Sequence, residues 1–378
     1  MAKRKLKSVD RAFTIKRLLL ILLAAAVLAG GFFGVRAFLK SRASFGSVTS
    51  LPFYSEASYA YSDSVFYYAD GDKLVIYNPS SPDSSKSMSL GTSDVSVAAA
   101  NGTAALYSSS AVQIIGTDSI IDVGGQISFV RCAANHIAVL RMDSAGDYAV
   151  LVYNKSGSLV DIIEQGDGII TDCGFYDSTS GDLMWTLILS TSADTPVTTL
   201  TTYSYATQGS ESVATMSGVI SVNSQIVDKV VFTKNSIFIS GTEQLIRCDA
   251  SISGESWRLL TYGYRLSDYS TASTKPLFLF VPRNEDGMNE AKLYSVEESA
   301  TSSATARTVQ LSDGVHSVMA YSGKMAAFST DTLYIYTAAG KLSGTYALDF
   351  SCVKATKLSE NEALCECADG SLKLLTLK

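Results

Sequence analysis

Two kinds of apolar pattern follow one another along the chain. Near the start, apolar and small residues run without interruption over residues 18–35, and on to Leu39 if Arg36 is included. Beyond residue 41 the apolar runs are short and polar turns separate them. Because none of these later runs has the 3.6-residue period of a long helix, we predict an all-β domain after one N-terminal helix.

The long apolar run has the length of a membrane-spanning helix. A bilayer core of about 30 Å needs roughly 20 helical residues, whereas the apolar core of a signal peptide has about 7 to 15. No cysteine follows the run to form a lipoprotein anchor, and Lys40 and Arg42 crowd the nearest small-x-small site. We therefore expect residues 18–39 to be an uncleaved transmembrane helix that holds the chain in a lipid bilayer.

Charge is divided unevenly between the two sides of this helix. Residues 1–42 hold ten of the 30 Lys and Arg residues and one of the 36 acids, so the rest of the chain has 20 positive and 35 negative side chains. Seven of the ten positive residues precede the apolar run. Because the flank richer in Lys and Arg stays in the cytoplasm, we expect a basic cytoplasmic tail (1–17), a short linker (40–44) and an extracellular domain (45–378) at the cell membrane.

Pairs of apolar runs joined by a tight polar turn recur in the outer domain. The clearest are residues 64–78 around Asp70-Gly71-Asp72, residues 324–336, and residues 362–375 around Asp369-Gly370. Apolar and aromatic runs on either side of an Asp-Gly type of turn are typical of β-hairpins.

The hairpins belong to a repeated unit of four strands, whose third strand has the form Leu-x-Ile-Tyr. The eight third strands fall near residues 74–77, 112–115, 149–153, 199–205, 244–248, 292–296, 333–336 and 372–375. A period of about 40 to 45 residues with four strands per unit is typical of β-propellers. We predict an all-β propeller of about eight four-stranded blades, with seven as the alternative.

The two ends of the repeat array complement each other. The unit at residues 350–378 lacks a fourth strand, and residues 45–51 have no unit of their own. Pairing these two segments would remove two free sheet edges, so we expect it. Four polar segments add length to the fourth and sixth blades and are predicted as surface loops: residues 190–196, 208–212, 283–290 and 297–307.

Cysteine and histidine are the candidates for reactive or metal-binding chemistry. The cysteines are Cys132, Cys173, Cys248, Cys352, Cys365 and Cys367. Cys365 and Cys367 are two apart on one predicted strand, and either could reach Cys352 on its neighbour, so one disulfide in the last blade is an alternative to buried free thiols. There is no C-x-x-C, and only His136 and His316 could assist, so we predict no metal site.

No residue set carries a recognisable catalytic pattern. The two histidines fall in units about four apart, and neither a Gly-x-Ser-x-Gly elbow nor a Ser-x-x-Lys set with its usual companions is present. The acidic segments at 70–72 and 284–290 lack the spacing of a calcium loop and are predicted as turns. Two tryptophans, Trp185 and Trp257, are too few for the docking repeat of quinone-dependent propellers. We predict no catalytic, cofactor-binding or metal-binding residues, and the acidity argues against nucleic acid as a partner.

The order of parts is a basic tail (MAKRKLK), one apolar span, and Tyr-rich repeats that end without an outer strand. It resembles the uncharacterised family 5711 of domains of unknown function and, more loosely, WD40-like and quinoprotein-like propellers. The resemblance covers nearly the whole chain and implies a membrane-tethered propeller with no assigned activity. The repeats lack the Gly-His and Trp-Asp pairs of WD40 blades.

A complete repeat array without a catalytic pattern predicts a non-enzymatic scaffold that binds an envelope protein or glycan. One alternative is a propeller hydrolase or lyase that acts on an envelope polymer. Acids, His or Arg should then converge on the first strands around the axis. Another alternative is a structural domain that contacts only its own copies.

Overall fold

The described part of the protein consists of β-strands, turns and one short 3-10 helix, Pro82–Ser84. The computed structural model describes residues 45–378 except 91–93, 118, 177–181, 193, 209–210, 251–253, 274, 284–287 and 297–305. The predicted tail, transmembrane helix and linker lie outside the described residues. Across the ranges that are described, the structure contains no helix with both the length and the apolar character to cross a bilayer.

The described strands form eight four-stranded antiparallel sheets, which are the blades of a propeller. Strand β1 (Gly46–Tyr54) precedes the first blade. The strands of blades 1 and 2 are β2 (Tyr59–Ser62), β3 (Val65–Asp70), β4 (Lys73–Tyr77), β5 (Lys86–Ser89), β6 (Ser96–Ala100), β7 (Thr103–Tyr107), β8 (Ala111–Ile114) and β9 (Ile120–Asp122). Those of blades 3 and 4 are β10 (Gln126–Cys132), β11 (His136–Met142), β12 (Tyr148–Asn154), β13 (Leu159–Glu164), β14 (Ile169–Tyr176), β15 (Leu183–Ser190), β16 (Val197–Gln208) and β17 (Glu211–Asn223).

The second half of the array repeats the pattern. The strands of blades 5 and 6 are β18 (Val227–Phe232), β19 (Ser236–Gly241), β20 (Gln244–Asp249), β21 (Glu255–Leu260), β22 (Tyr264–Ser270), β23 (Leu277–Pro282), β24 (Glu290–Ser295) and β25 (Arg307–Gln310). Those of blades 7 and 8 are β26 (Ser317–Tyr321), β27 (Lys324–Phe328), β28 (Thr332–Thr337), β29 (Leu342–Ala347), β30 (Cys352–Ser359), β31 (Glu362–Cys367) and β32 (Ser371–Leu377).

The last blade takes its fourth strand from the other end of the array. Its order is β1-β32-β31-β30, so the predicted pairing of the N-terminal segment with the last unit is confirmed. Lys373 Nζ donates a hydrogen bond of 2.7 Å to Ser50 Oγ across this pair. Each of the eight predicted third strands is the third strand of a blade, and the blade number is eight.

The second strands of several blades are buried on both faces. All six residues of β19 are buried, and four of the five in β27. Apolar clusters join neighbouring blades: Leu200 of blade 4 packs with Ile237 of blade 5, and the rings of Phe238 and Phe278 lie 4.6 Å apart between blades 5 and 6. Strands buried on both faces need continuous apolar runs, which explains the weak alternation in the sequence.

Blade 4 carries a long outer hairpin. Strands β16 and β17 have 12 and 13 residues and pair as far as Gln208↔Glu211. Of the predicted surface loop at 208–212, Gln208, Glu211 and Ser212 are paired strand residues, and residues 209–210 lie outside the described residues. The segment at 190–196 lies between the second and third strands. Of the other two predicted loops, most of 297–307 and half of 283–290 lie outside the described residues.

All six cysteines are buried free thiols. Cys352 pairs in register with Cys367 across β30 and β31, as the sequence suggested, but the structure has no disulfide between the two strands. Hydrogen bonding from Cys365 lowers the pKa of the Cys352 thiol, against the effect of burial, and His316 acts in the same direction.

Candidate functional site

A cavity of about 1210 Å³ lies among blades 4, 5 and 6. It is bounded by the first strands β14, β18 and β22, by the start of β15, and by the turn residues that follow β18 and β22. First strands of adjacent blades contact one another, as β18 and β22 do, and form the innermost layer of a propeller. The lining residues are Asp172, Phe175, Tyr176, Leu183, Trp185, Lys229, Val230, Phe232, Thr233, Lys234, Asn235, Ile237, Ala250, Tyr269, Thr271 and Ser273.

One side of the cavity is an aromatic wall formed by Phe175, Tyr176, Trp185 and Phe232. The rings of Tyr176 and Phe232 stack between blades 4 and 5 with centroids 3.9 Å apart and an interplanar angle of 10°. The Trp185 ring lies 6.3 Å from that of Phe232. All four side chains are partly exposed, so the wall offers apolar surface to the cavity.

Gly174 makes room for this wall. It pairs with Trp185 across β14 and β15, and a Cβ at this position would lie 3.0 Å from the Trp185 ring. That separation is shorter than ordinary van der Waals contact. The glycine therefore lets the indole lie across the neighbouring strand.

Charged side chains reach the cavity region from the same position in three consecutive blades. The pairing of the first and second strands shifts by one residue immediately before Asp172 in β14, before Lys229 in β18 and before Asp268 in β22. Such a bulge bends a strand and redirects its side chains. The three blades thus present an acid, a base and an acid in order.

The two acids have partners within the protein. Asp172 forms an ion pair of 3.4 Å with Arg131 of blade 3. Asp268 accepts a hydrogen bond of 2.8 Å from the Ala320 backbone N–H. Burial raises the pKa of the Asp268 carboxyl, although Lys357 and Lys229 oppose this shift.

Lys229 differs from these acids. Its ammonium group lies 5.3 Å from the centroid of the Tyr269 ring, within the range of a cation–π contact. Within the described ranges no carboxylate lies within 4 Å of it. Burial lowers the pKa of Lys229, and Asp268 partly offsets this effect.

The neighbouring Lys357 is paired differently. Its Nζ donates hydrogen bonds to the Tyr269 carbonyl oxygen at 2.5 Å and to Glu360 at 3.2 Å. Glu360 also accepts from Ser270 Oγ and from the Ser322 N–H, and so it ties blades 6, 7 and 8 together. This carboxylate is part of the blade contacts.

The two histidines lie in different blades, as predicted, and neither lines the cavity. His136 is buried in blade 3, where its Nδ1 lies 2.7 Å from Asp182 Oδ2 of blade 4. Burial would raise the pKa of Asp182, but hydrogen bonds from His136 and Asn135 hold it below its ordinary value. His316 precedes β26, with Nδ1 2.9 Å from Ser317 Oγ.

Among the described residues, no group of three His, Cys, Asp or Glu side chains is placed to hold a metal ion. The acidic segment at 70–72 forms the turn between β3 and β4, where Gly71 has φ +59°. The segment at 284–287 lies outside the described residues. Reasoning from the sequence did not single out Asp172, Lys229 or Asp268.

Comparisons with other proteins show the fold and nothing finer. Neither the family models nor the curated protein sequences give a match, so the resemblance to family 5711 is not confirmed. BamB from Moraxella catarrhalis is similar in structure, with a TM-score of 0.55 and 11% identity over 89% of this chain and 98% of that one. The WD40 domain of SCAP from fission yeast is also similar, with a TM-score of 0.58 and 10% identity over 88% of this chain and 94% of that one. The described part of the chain therefore has an eight-bladed propeller fold similar to the folds of BamB and of the SCAP WD40 domain.

Proposed function

We propose that this chain is a membrane-tethered, extracytoplasmic β-propeller that serves as a binding scaffold in the cell envelope. The partner we favour is a protein, with a glycan as the other candidate. Support for the tether comes from the sequence, through the apolar run at residues 18–39 and the ten positive charges around it.

The cavity across blades 4 to 6 carries the binding proposal. It combines an apolar aromatic wall with a small number of polar groups, as ligand sites commonly do. Asp172 and Asp268 are engaged by Arg131 and by the Ala320 N–H. Acids held by internal partners suit a rigid binding surface better than proton transfer to a substrate.

Mild crosslinking in native membranes followed by capture of the full chain tests the scaffold. We expect one envelope protein to be recovered in a fixed ratio to the bait. A matched bait that carries only residues 1–44 controls for proteins held by the tether. Recovery of the same proteins by both baits would refute a scaffold role for the propeller.

Protease added to intact cells tests the orientation. An extracytoplasmic domain should be cleaved, leaving the N-terminal tail protected. Cleavage that requires opening of the cells would contradict the proposed localisation.

A propeller hydrolase or lyase is the second candidate, because acidic and basic side chains do converge on first strands in the structure. Asp268 is the best candidate for a general acid, since burial raises its pKa. The solubilised full chain should then degrade an envelope glycan, and Asp268→Asn should abolish turnover. Turnover that survives Asp268→Asn would exclude this residue as the acid.

A further inference from the structure

Two lysines line the cavity, and neither forms an ion pair within the described ranges: Lys234 is exposed to solvent, whereas Lys229 is partly buried. The ammonium group of Lys229 lies over the face of the Tyr269 ring. Asp172 forms its ion pair with Arg131, and Asp268 accepts a backbone hydrogen bond and acts on Lys229 only through space. A bound anion would supply the missing counterion, because a partly buried ammonium gains most from a charge-assisted hydrogen bond.

The local charge is opposite to that of the domain. Beyond residue 42 the chain has 35 acids against 20 bases. The cavity is lined by Lys229 and Lys234, and its one acid, Asp172, is paired with Arg131. A positive cavity in a negative domain selects a ligand with an isolated negative charge. A polymer with a charge on every repeat would be repelled by the surrounding surface.

The aromatic wall indicates that the ligand has an apolar group next to its negative charge. Tyr176, Trp185 and Phe232 give a partly exposed apolar surface on the same cavity as Lys229. At about 1210 Å³ the cavity exceeds the 300–1,000 Å³ typical of small-molecule pockets. Its size fits a segment of polypeptide, and Thr271 and Ser273 add hydroxyl groups to its lining.

We propose that the cavity holds an acidic peptide segment of a protein partner. A carboxylate of the segment binds Lys229 Nζ, and an adjacent apolar side chain packs on the wall of Tyr176, Trp185 and Phe232. This inference rests on the proposed scaffold function and names the chemistry of its partner. A single carboxylate among neutral residues meets the partly buried ammonium of Lys229, while Lys234 stays in contact with solvent.

Trp185 provides a direct reporter for the test. The chain has two tryptophans, and Trp257 lies in β21 outside the cavity lining, buried, with no hydrogen-bond partner for its Nε1 in the described ranges. The full chain with Trp257→Phe, in detergent micelles, is used to select binders from a display library of short random peptides. We expect selected sequences to share an acidic residue next to an apolar one, and their synthetic forms to change Trp185 emission.

Three matched comparisons make the test specific. Replacing the acidic residue of the selected peptide by its amide should weaken binding about tenfold or more, as should Lys229→Met. Lys155→Met, on the exposed turn of blade 3, should leave affinity unchanged. Selected peptides without an acid, or equal affinity for the Lys229→Met chain, would overturn the inference.

The same variants separate this inference from the scaffold proposal. If Lys229→Met still captures the envelope partner in the crosslinking experiment, the scaffold stands and the cavity is not its binding site. If a uronic-acid disaccharide changes Trp185 emission and the peptides do not, the cavity binds an acidic sugar and the peptide inference is wrong. If the crosslinking experiment recovers no envelope protein and the library yields no binding peptide, both proposals fail.

Discussion

The first strands of blades 4, 5 and 6 differ from those of blades 1, 2 and 7 in two linked ways. Strands β14, β18 and β22 each shift register once, and a charged residue directly follows each shift. Strands β2, β6 and β26 pair without a shift and carry no charged side chain. Position in the blade is the same, yet one group lines a cavity with charge and the other fills the interior with small or apolar side chains.

The difference teaches how a repeat can gain a site without losing its fold. Pairing between the second, third and fourth strands holds the blade together. A bulge in the first strand can therefore redirect a side chain without disturbing the pairing of the other three strands. The regular strand β26 shows the other outcome, since Met319, Ala320 and Tyr321 are buried. Charge should therefore be tolerated after a bulge and rejected in a regular first strand.

Met319→Lys should have the largest effect. Met319 is 2% exposed in β26, and an ammonium there has no bulge to redirect it. We expect the free energy of unfolding in urea to fall by roughly 3 kcal/mol or more, because burial of an unpaired charge is strongly unfavourable. Met319→Leu, which keeps the volume, should lose less than about 1.5 kcal/mol. Equal stability of the two variants would show that a regular first strand tolerates a charge as well as a bulged one does.

Gly174→Ala should come next, because the added Cβ meets the Trp185 ring at 3.0 Å. We expect a loss of about 1–3 kcal/mol in urea unfolding, typical of overpacking, and a change in Trp185 emission. In the background Trp185→Leu the same alanine should be better tolerated, and a double-mutant cycle measures this coupling. Additive losses would show that the glycine has another role.

Lys229→Met should leave stability unchanged at pH 7 or raise it by roughly 1 kcal/mol, because it removes a partly buried ammonium. Burial lowers the pKa of Lys229 in the folded state below the ordinary 10.5, so the folded state releases this proton first. The free energy of unfolding of the parent chain therefore rises with pH between the folded-state pKa of Lys229 and its ordinary value. Any greater stability of the methionine variant disappears above about pH 10.5. A destabilised variant at pH 7 would mean that Lys229 is a structural residue.

Arg131→Ala should have the smallest effect. The side chains of Arg131 and Asp172 are 47% and 38% exposed, and such surface ion pairs contribute about 0–1 kcal/mol. We expect a loss below about 0.5 kcal/mol in urea unfolding, which vanishes at about 1 M salt because solvent screens the pair. A larger loss that persists at high salt would show that this pair supports the blades rather than only the cavity.

The fold was predictable because each blade repeats the same local rules. Short apolar runs, Asp-Gly turns and a regular period placed all eight third strands, and the incomplete last unit indicated the pairing with residues 45–51. Of the long β16–β17 hairpin, only a third strand near residues 199–205 and a polar loop at 208–212 were predicted, because polar residues in a solvent-exposed hairpin resemble those of an irregular loop. The mutual position of Cys352 and Cys367 followed from strand pairing.

By itself the sequence determined the strands, their order and the closure of the array, because turn chemistry and apolar periodicity act between residues close in the chain. Only the tertiary structure decided which side chains share the cavity. Asp172 and Lys229 both line it although about 57 residues separate them, and a one-residue shift in strand pairing directly precedes each of them. Such a shift is fixed by packing between blades, and no local pattern in the sequence records it.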